Sequence, residues 1–269
     1  MKFALIDNNR VEAKSGLIAI CPGCSKSVIP KCGEQRVHHW AHSRGKMCDS
    51  WWESETEWHR NWKSKFPIEW QEGFLVDDKT GEMHIADIRT DKGLVIEFQH
   101  SHINLLERSS RESFYRDLSW VVDGTRLKRD YPRFLKGKES FRTIKKGIYS
   151  VIDPEECFPS SWLESSVPVL FDFNDTYSQL INHSKQHLLY CLFPVRVDRN
   201  AIVAEITVNA FVNKVISGEW TTRTRQFISD IIQVDKEMRE QYEGQKRIEE
   251  NLMFRKFMGL NRGRRSRQF

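Results

Sequence analysis

Hydrophobic positions along this chain change period several times, and each change marks an element. Residues 1–20 alternate loosely between apolar and polar through Phe3, Leu5, Leu17, Ile18 and Ile20, which predicts a hairpin. From Trp51 to about Phe66 the period becomes helical. Trp51, Trp58, Trp62 and Phe66 fall in one narrow stripe at about 100° per residue, so the predicted helix must bury its tryptophans. After Pro67 come strand-like stretches at 68–76, 83–90 and 94–100, separated by the turn residues Asp77-Asp78-Lys79-Thr80-Gly81 and Asp91-Lys92-Gly93. A polar helix over roughly 104–117 leads to the apolar strand Leu118–Val122, ended by Asp123-Gly124. Farther on, 201–216 read as a strand followed by a helix, and 225–258 as a long, charged helix.

The order helix, three strands, helix, strand predicts an α/β core rather than a sandwich or a bundle. The chain divides by composition into a Cys/His-rich module over 1–50, a core over 51–155, and a mainly helical C-terminal region with a basic tail over 156–269. A length of 269 residues accommodates a substantial core with appendages.

Charge adds little globally and more locally. Lys plus Arg number 42 against 37 Asp plus Glu, a mild excess compatible with many classes of protein. The excess is concentrated at the end, where Asn261–Arg267 form a Gly/Arg tail suited to phosphates or to solvation. No apolar run approaches the ~18–20 residues of a membrane span, and MKFALIDNNR is too short in apolar content for a secretory segment. Four of the six cysteines crowd between Cys21 and Cys48 among histidines, which predicts metal ligation in a reducing, cytoplasmic setting rather than a disulfide frame.

Cys21-Pro-Gly-Cys24 and His39-Trp-Ala-His42 form two close pairs of zinc-type ligands. Two thiolates and two imidazoles make a closed tetrahedral site with no position for a reacting water, so a structural Zn²⁺ is expected. His38, Cys32 and Cys48 are alternative ligands. A segment so poor in aliphatic residues needs the folding free energy of a metal.

A second constellation is acidic. Asp91-Lys92-Gly93, with Gly93 left-handed, closes a hairpin whose register sets Asp87 opposite Glu97. Their Cβ atoms would then be ~4.5–5.5 Å apart, where like charges destabilise a sheet unless a cation compensates. Carboxylates suit Mg²⁺ or Mn²⁺, and such an ion lowers the pKa of a bound water for attack on phosphorus. Gln99 shares the face of Glu97 and could orient the water or the phosphate, whereas Leu94, Ile96 and Phe98 face the core. Glu55 lies within the tryptophan stripe and His59 at its margin, so both join the candidate site, with Glu57 the alternative carboxylate. His84 has the wrong strand parity to share the ion. Arg108, Arg111, Tyr115 and Arg116 follow on the polar helix and are candidate phosphate contacts.

Taken together, Cys21-x2-Cys24, His39-Trp-Ala-His42, Glu55-Thr-Glu57-Trp-His59-x3-Lys63, Asp87 and Ile96-Glu97-Phe98-Gln99 resemble the CoiA-like competence-protein family over roughly residues 1–125. That resemblance implies a PD-(D/E)XK, restriction-endonuclease-like core, a mixed sheet flanked by helices, with an N-terminal zinc-finger-like region. It further implies that Asp87 and Glu97 are the metal-binding carboxylates and that Gln99 stands where the superfamily more often has lysine. The glutamine offers an amide dipole in place of a fixed positive charge.

The expected activity is therefore metal-dependent hydrolysis of DNA phosphodiester bonds, in bacterial DNA processing or defence against foreign DNA. DNA is the expected partner, with a second copy or a partner protein at the C-terminal region. The competing class is a non-catalytic, zinc-stabilised nucleic-acid-binding protein of a larger complex, but paired carboxylates on a binding face would repel phosphates unless a cation bridged them. Zinc-dependent base deamination is disfavoured because Ser43-Arg44 follow His42, with no His-x-Glu base.

Overall fold

The structure is a computed structural model and describes residues 1–43, 48–78, 80–173 and 187–265, with side chains to residue 258. The chain forms two compact units, Met1–Arg223 and Thr224–Phe269. The side chains of the predicted basic tail, Asn261–Arg267, lie outside the described residues.

The N-terminal strands β1 (Phe3–Ile6), β2 (Asn9–Glu12), β3 (Ala19–Ile20), β4 (Ser27–Lys31) and β5 (His39–His42) form an antiparallel sheet in the order β2-β1-β3-β4-β5. Asp7 and Asn8 close the first hairpin with positive φ, which these two residue types tolerate best after glycine. A small core of Ala4, Ala19, Val28 and Trp40 holds this module together, with Cys21 buried among them.

Helix α1 (Glu57–Lys63) begins after Thr56, whose hydroxyl and backbone form a reciprocal capping box with His59. The predicted helix from Trp51 is thus shorter than its periodicity suggested. Arg111 Nη2 donates to the Trp51 carbonyl, and the indole packs against His84, Phe114 and Tyr115, so tertiary partners hold residues 51–56 non-helical.

The strands β6 (Gln71–Val76), β7 (Met83–Arg89) and β8 (Val95–Gln99) then run as an antiparallel meander, and α2 (Leu105–Phe114) crosses to β9 (Leu118–Asp123), parallel to β8. Thr90 N donates to the Leu94 carbonyl, and Gly93 takes φ 85°, the left-handed residue the hairpin requires. Every residue of β9 is buried, as expected of a strand flanked by parallel neighbours on both sides.

Beyond this point the expected helical region is corrected. After α3 (Asp130–Lys138) come β10 (Arg142–Lys145), β11 (Ile148–Val151), a short helix α4 (Ser160–Leu163), β12 (Val169–Asp172), β13 (Leu188–Val197) and β14 (Asn200–Thr207). Among the described residues these strands complete one nine-stranded sheet, in the order β10-β11-β14-β13-β12-β9-β8-β7-β6. The physical reason is the apolar edge of β9, whose backbone groups need a partner, and β12 supplies it in parallel register, Trp120 against Val169 through Asp123 against Asp172. Residues 156–223 therefore belong with the core unit rather than to a separate helical region. Helix α5 (Val208–Ile216), capped by Thr207, follows β14 as the sequence predicted, and α6 (Trp220–Arg265) carries the predicted long charged helix.

Candidate functional site

Continuing the observed pairs Ile88–Ile96 and Arg89–Val95 outward places Asp87 opposite Glu97. At that point side chains replace the backbone ladder. Asp87 N donates to Glu97 Oε1 at 3.3 Å, and Phe98 N donates to Asp87 Oδ2 at 2.9 Å. The two carboxylates line a small cavity of about 60 Å³ together with Glu53, Glu55, His59 and Lys63, and with Asp49, Glu72 and Arg111.

Helix α1 supplies the cation of the site. Lys63 Nζ lies 2.8 Å from Asp87 Oδ1, 3.1 Å from Glu55 Oε1 and 3.6 Å from Glu72 Oε1. Its side chain is almost wholly buried. Burial disfavours the ammonium, yet Asp87, Glu55 and Glu72 together outweigh that penalty and hold the lysine charged. Helix α2 supplies the second cation, Arg111 Nη1, 3.1 Å from Glu97 Oε2.

Glu97 behaves differently from an ordinary carboxylate. Burial first, and the neighbouring Asp87 charge second, push it up to about 8, against the opposing pull of Arg111. Glu72 goes the other way. Although burial opposes it, Lys63, then the N-terminal ammonium and the backbone amides of Lys2 and Phe3, bring it down to about 2. Glu72 sits at φ 51° in β6, an unusual conformation for a side-chain-bearing residue, and its carboxylate accepts from Lys2 N at 2.5 Å and Phe3 N at 3.0 Å. Strand β1 is thereby tied to the wall of the cavity.

The remaining predicted residues separate cleanly. Glu55 lines the cavity and pairs with Arg60 at 2.7 Å as well as Lys63, whereas Glu57 is exposed in the first turn of α1. His59 also lines it; Thr56 N reaches His59 Nδ1 at 3.1 Å, and burial lowers the imidazole's pKa so that the ring is neutral. Gln99 does not reach the cavity. Its amide donates to Glu53 Oε2 at 2.7 Å and to Ser101, so it holds a cavity carboxylate in place rather than facing the space itself.

His84 lies off the cavity, as its parity required, with Nδ1 2.8 Å from Asp49 Oδ1. Of the candidate phosphate contacts, Arg108 is buried against Glu112 and the carbonyls of Ser161 and Glu164, and Tyr115 is buried. Only Arg116 of that group is exposed.

The second cluster is Cys21, Cys24, His42 and Cys48, whose ligand atoms all lie within 4.8 Å of one another. This set could hold a metal ion such as zinc. His39 is not part of it. Residues 39–42 form a strand, so His39 and His42 point to opposite faces, and His39 Nδ1 instead meets the Val37 carbonyl at 2.9 Å. Cys48 takes the fourth position, 3.7 Å from Cys21 Sγ, while His42 Nε2 lies 3.2 Å from Cys24 Sγ. Burial and then the charge of Cys21 push the Cys48 thiol up to about 12, so a cation is needed before all three sulfurs ionise together.

Residues 10–50 match the family model for the N-terminal domain of competence protein CoiA. The match takes in all four members of the Cys/His cluster and, of the residues lining the acidic cavity, reaches Asp49 but ends before Glu53, Glu55, Lys63, Asp87 and Glu97. No curated protein and no solved structure matches the chain. Cluster and cavity are neighbours in the chain: Asp49, next to Cys48, accepts from Ile85 N at 2.9 Å and binds His84, and Asp49 and Ile85 both line the cavity.

Sequence reasoning quoted Lys63 and Arg111 without assigning either to the carboxylates. One signal was present for Lys63, a lysine one turn after His59 on the helix face that buries Trp62. Glu53 and Glu72 carried none, since their positions depend on a loop and on a left-handed residue.

Proposed function

We propose that this chain is a metal-dependent nuclease that hydrolyses phosphodiester bonds of DNA, a CoiA-like protein with a PD-(D/E)XK-type core, acting in bacterial DNA processing or in defence against foreign DNA. The observation that carries this reading is the in-register Asp87–Glu97 pair with Lys63 Nζ 2.8 Å from Asp87, in one cavity. Lys63 offers from helix α1 the fixed positive charge that Gln99 lacks. Support for the core comes from the meander β6-β7-β8, the parallel strand β9 and the flanking helices α1 and α2.

The donor set fits a divalent cation. Carboxylates outnumber the cavity's cations, Lys63 and Arg111, and Mg²⁺ or Mn²⁺ is commonly held by one or two carboxylates with water and substrate phosphate completing the shell. Asp87 and Glu97 would hold it, and it would supply charge neutralisation at phosphorus and a bound water of lowered pKa. Arg111 and the Asp87 amide fix the Glu97 carboxylate. The Phe98 amide fixes Asp87. Lys63 places a buried ammonium where negative charge builds on the phosphoryl oxygens as water adds and the P–O bond breaks. Glu53 and Glu55 border the same space and are the candidates for orienting the attacking water, with Gln99 positioning Glu53.

One observation favours the competing reading of a non-catalytic nucleic-acid-binding protein: all four oxygens of Asp87 and Glu97 already have protein donors. Cleavage of labelled single- and double-stranded DNA with Mg²⁺ or Mn²⁺ separates the two. Metal-dependent cutting that disappears in both Asp87→Ala and Glu97→Ala, with zinc content unchanged, establishes the nuclease. Binding without cutting, equal in wild type and both variants, leaves the binding module.

A further inference from the structure

The second compact unit contains, among the described residues, only the body of helix α6, and a lone helix cannot bury its own apolar face. Val234, Met238, Ile248 and Leu252 are each more than half exposed. With Gln241 and Gln245 they sit at alternating steps of three and four residues, the seam spacing of a two-stranded coiled coil. We propose that this seam docks on the same seam of a second copy of the chain, antiparallel, as a coiled-coil dimer.

Two features of the helix select that occupant and that direction. The seam is self-complementary about its midpoint near Glu243. Run against itself antiparallel, it places Val234 against Leu252, Met238 against Ile248 and Gln241 against Gln245, so apolar meets apolar and amide meets amide at every layer. Charge gives the direction. Between 230 and 243 acidic residues outnumber Lys236 and Arg239, whereas between 244 and 258 basic residues outnumber Glu249 and Glu250. Antiparallel pairing sets the acidic half of one helix beside the basic half of the other, and parallel pairing would align like with like. The paired amides at the centre cost some stability and fix the register, the role that single polar seam residues have in coiled coils. The proposal does not depend on nuclease activity.

The test uses the full chain. Light scattering at tens of micromolar protein gives twice the chain mass for wild type and for Met238→Leu/Ile248→Leu, and the single-chain mass for Met238→Glu/Ile248→Glu. Because these side chains are solvent-exposed, the Glu variant keeps its core fold, checked by circular dichroism and bound zinc. A benzophenone amino acid at position 238 then cross-links to the peptide containing Ile248 of the other copy. A monomeric wild type overturns the proposal, as does a dimer that persists in the Glu variant. A cross-link from 238 to 238 overturns the antiparallel arrangement, and a mass above two copies points to a different assembly and overturns it too.

Discussion

Lys63 Nζ on helix α1 lies 2.8 Å from Asp87 Oδ1 on strand β7, which places a buried ammonium beside the carboxylate pair from an element separated from it in sequence by strand β6. Three carboxylates share that one charge, Asp87, Glu55 and Glu72, so its removal leaves Glu55 with Arg60 and the other two with backbone amides as their remaining donors in a desolvated space. Lys63→Ala is expected to destabilise the core by about 3–5 kcal/mol, the usual cost of breaking a buried ion pair from one side. Urea unfolding followed by tryptophan fluorescence reads this. A shift in midpoint too small to resolve would mean that water already solvates the cavity.

Glu97 gives the protein a pH dependence of definite sign. Its folded pKa of about 8 lies above its ordinary value of 4.5, so between those limits the folded state binds more protons than the unfolded state. Stability contributed by this group is therefore full below about 4.5 and is lost as pH rises to about 8. Glu72 has the opposite sign, its contribution being present above 4.5 and lost as pH falls toward about 2. In Mg²⁺-free buffer, melting temperature should fall between pH 5 and 8 in wild type and fall less in Glu97→Gln. An identical decline in both would assign the effect elsewhere.

Zinc retention should follow the strand geometry of β5. Cys48→Ser is expected to lose the metal and with it much of the order of residues 1–50, whereas His39→Ala keeps one zinc per chain. Elemental analysis of the purified variants decides this. Equal loss from both would return His39 to the ligand set.

Gln99→Ala should act indirectly. Its amide holds Glu53, so the variant is expected to keep metal affinity close to wild type and to lose about tenfold in cleavage rate, the lower range for groups that orient a site from behind. Asp87→Ala and Glu97→Ala, by contrast, should abolish metal-dependent cleavage. A Gln99 variant as dead as Asp87→Ala would place the amide on the substrate instead.

Local pattern was enough for elements whose signals are short-range. The Asp91-Lys92-Gly93 hairpin, the opposition of Asp87 and Glu97, the strand Leu118–Val122 and the strand and helix over 201–216 all follow from turn chemistry and periodicity, which depend on neighbours in the chain. So did the presence of a thiol and imidazole cluster and of Cys21, Cys24 and His42 within it.

Tertiary structure decided the rest, because those choices turn on competition between distant partners. The Trp51 helix shortened to Glu57–Lys63 once Asp49, Arg111 and His84 took the backbone and ring of Trp51. Cys48 displaced His39 because an extended strand sends residues three apart to opposite faces, a fact hidden until 39–42 proved to be a strand. The sheet grew past residue 155 because β9 needed a second parallel neighbour, and the cavity acquired Lys63, Glu72 and Arg111 because three elements converge on Asp87 and Glu97. Periodicity reports which face of an element is apolar. Which distant charge lies against that face is set by packing, where desolvation makes each unpaired group costly and so selects its partner.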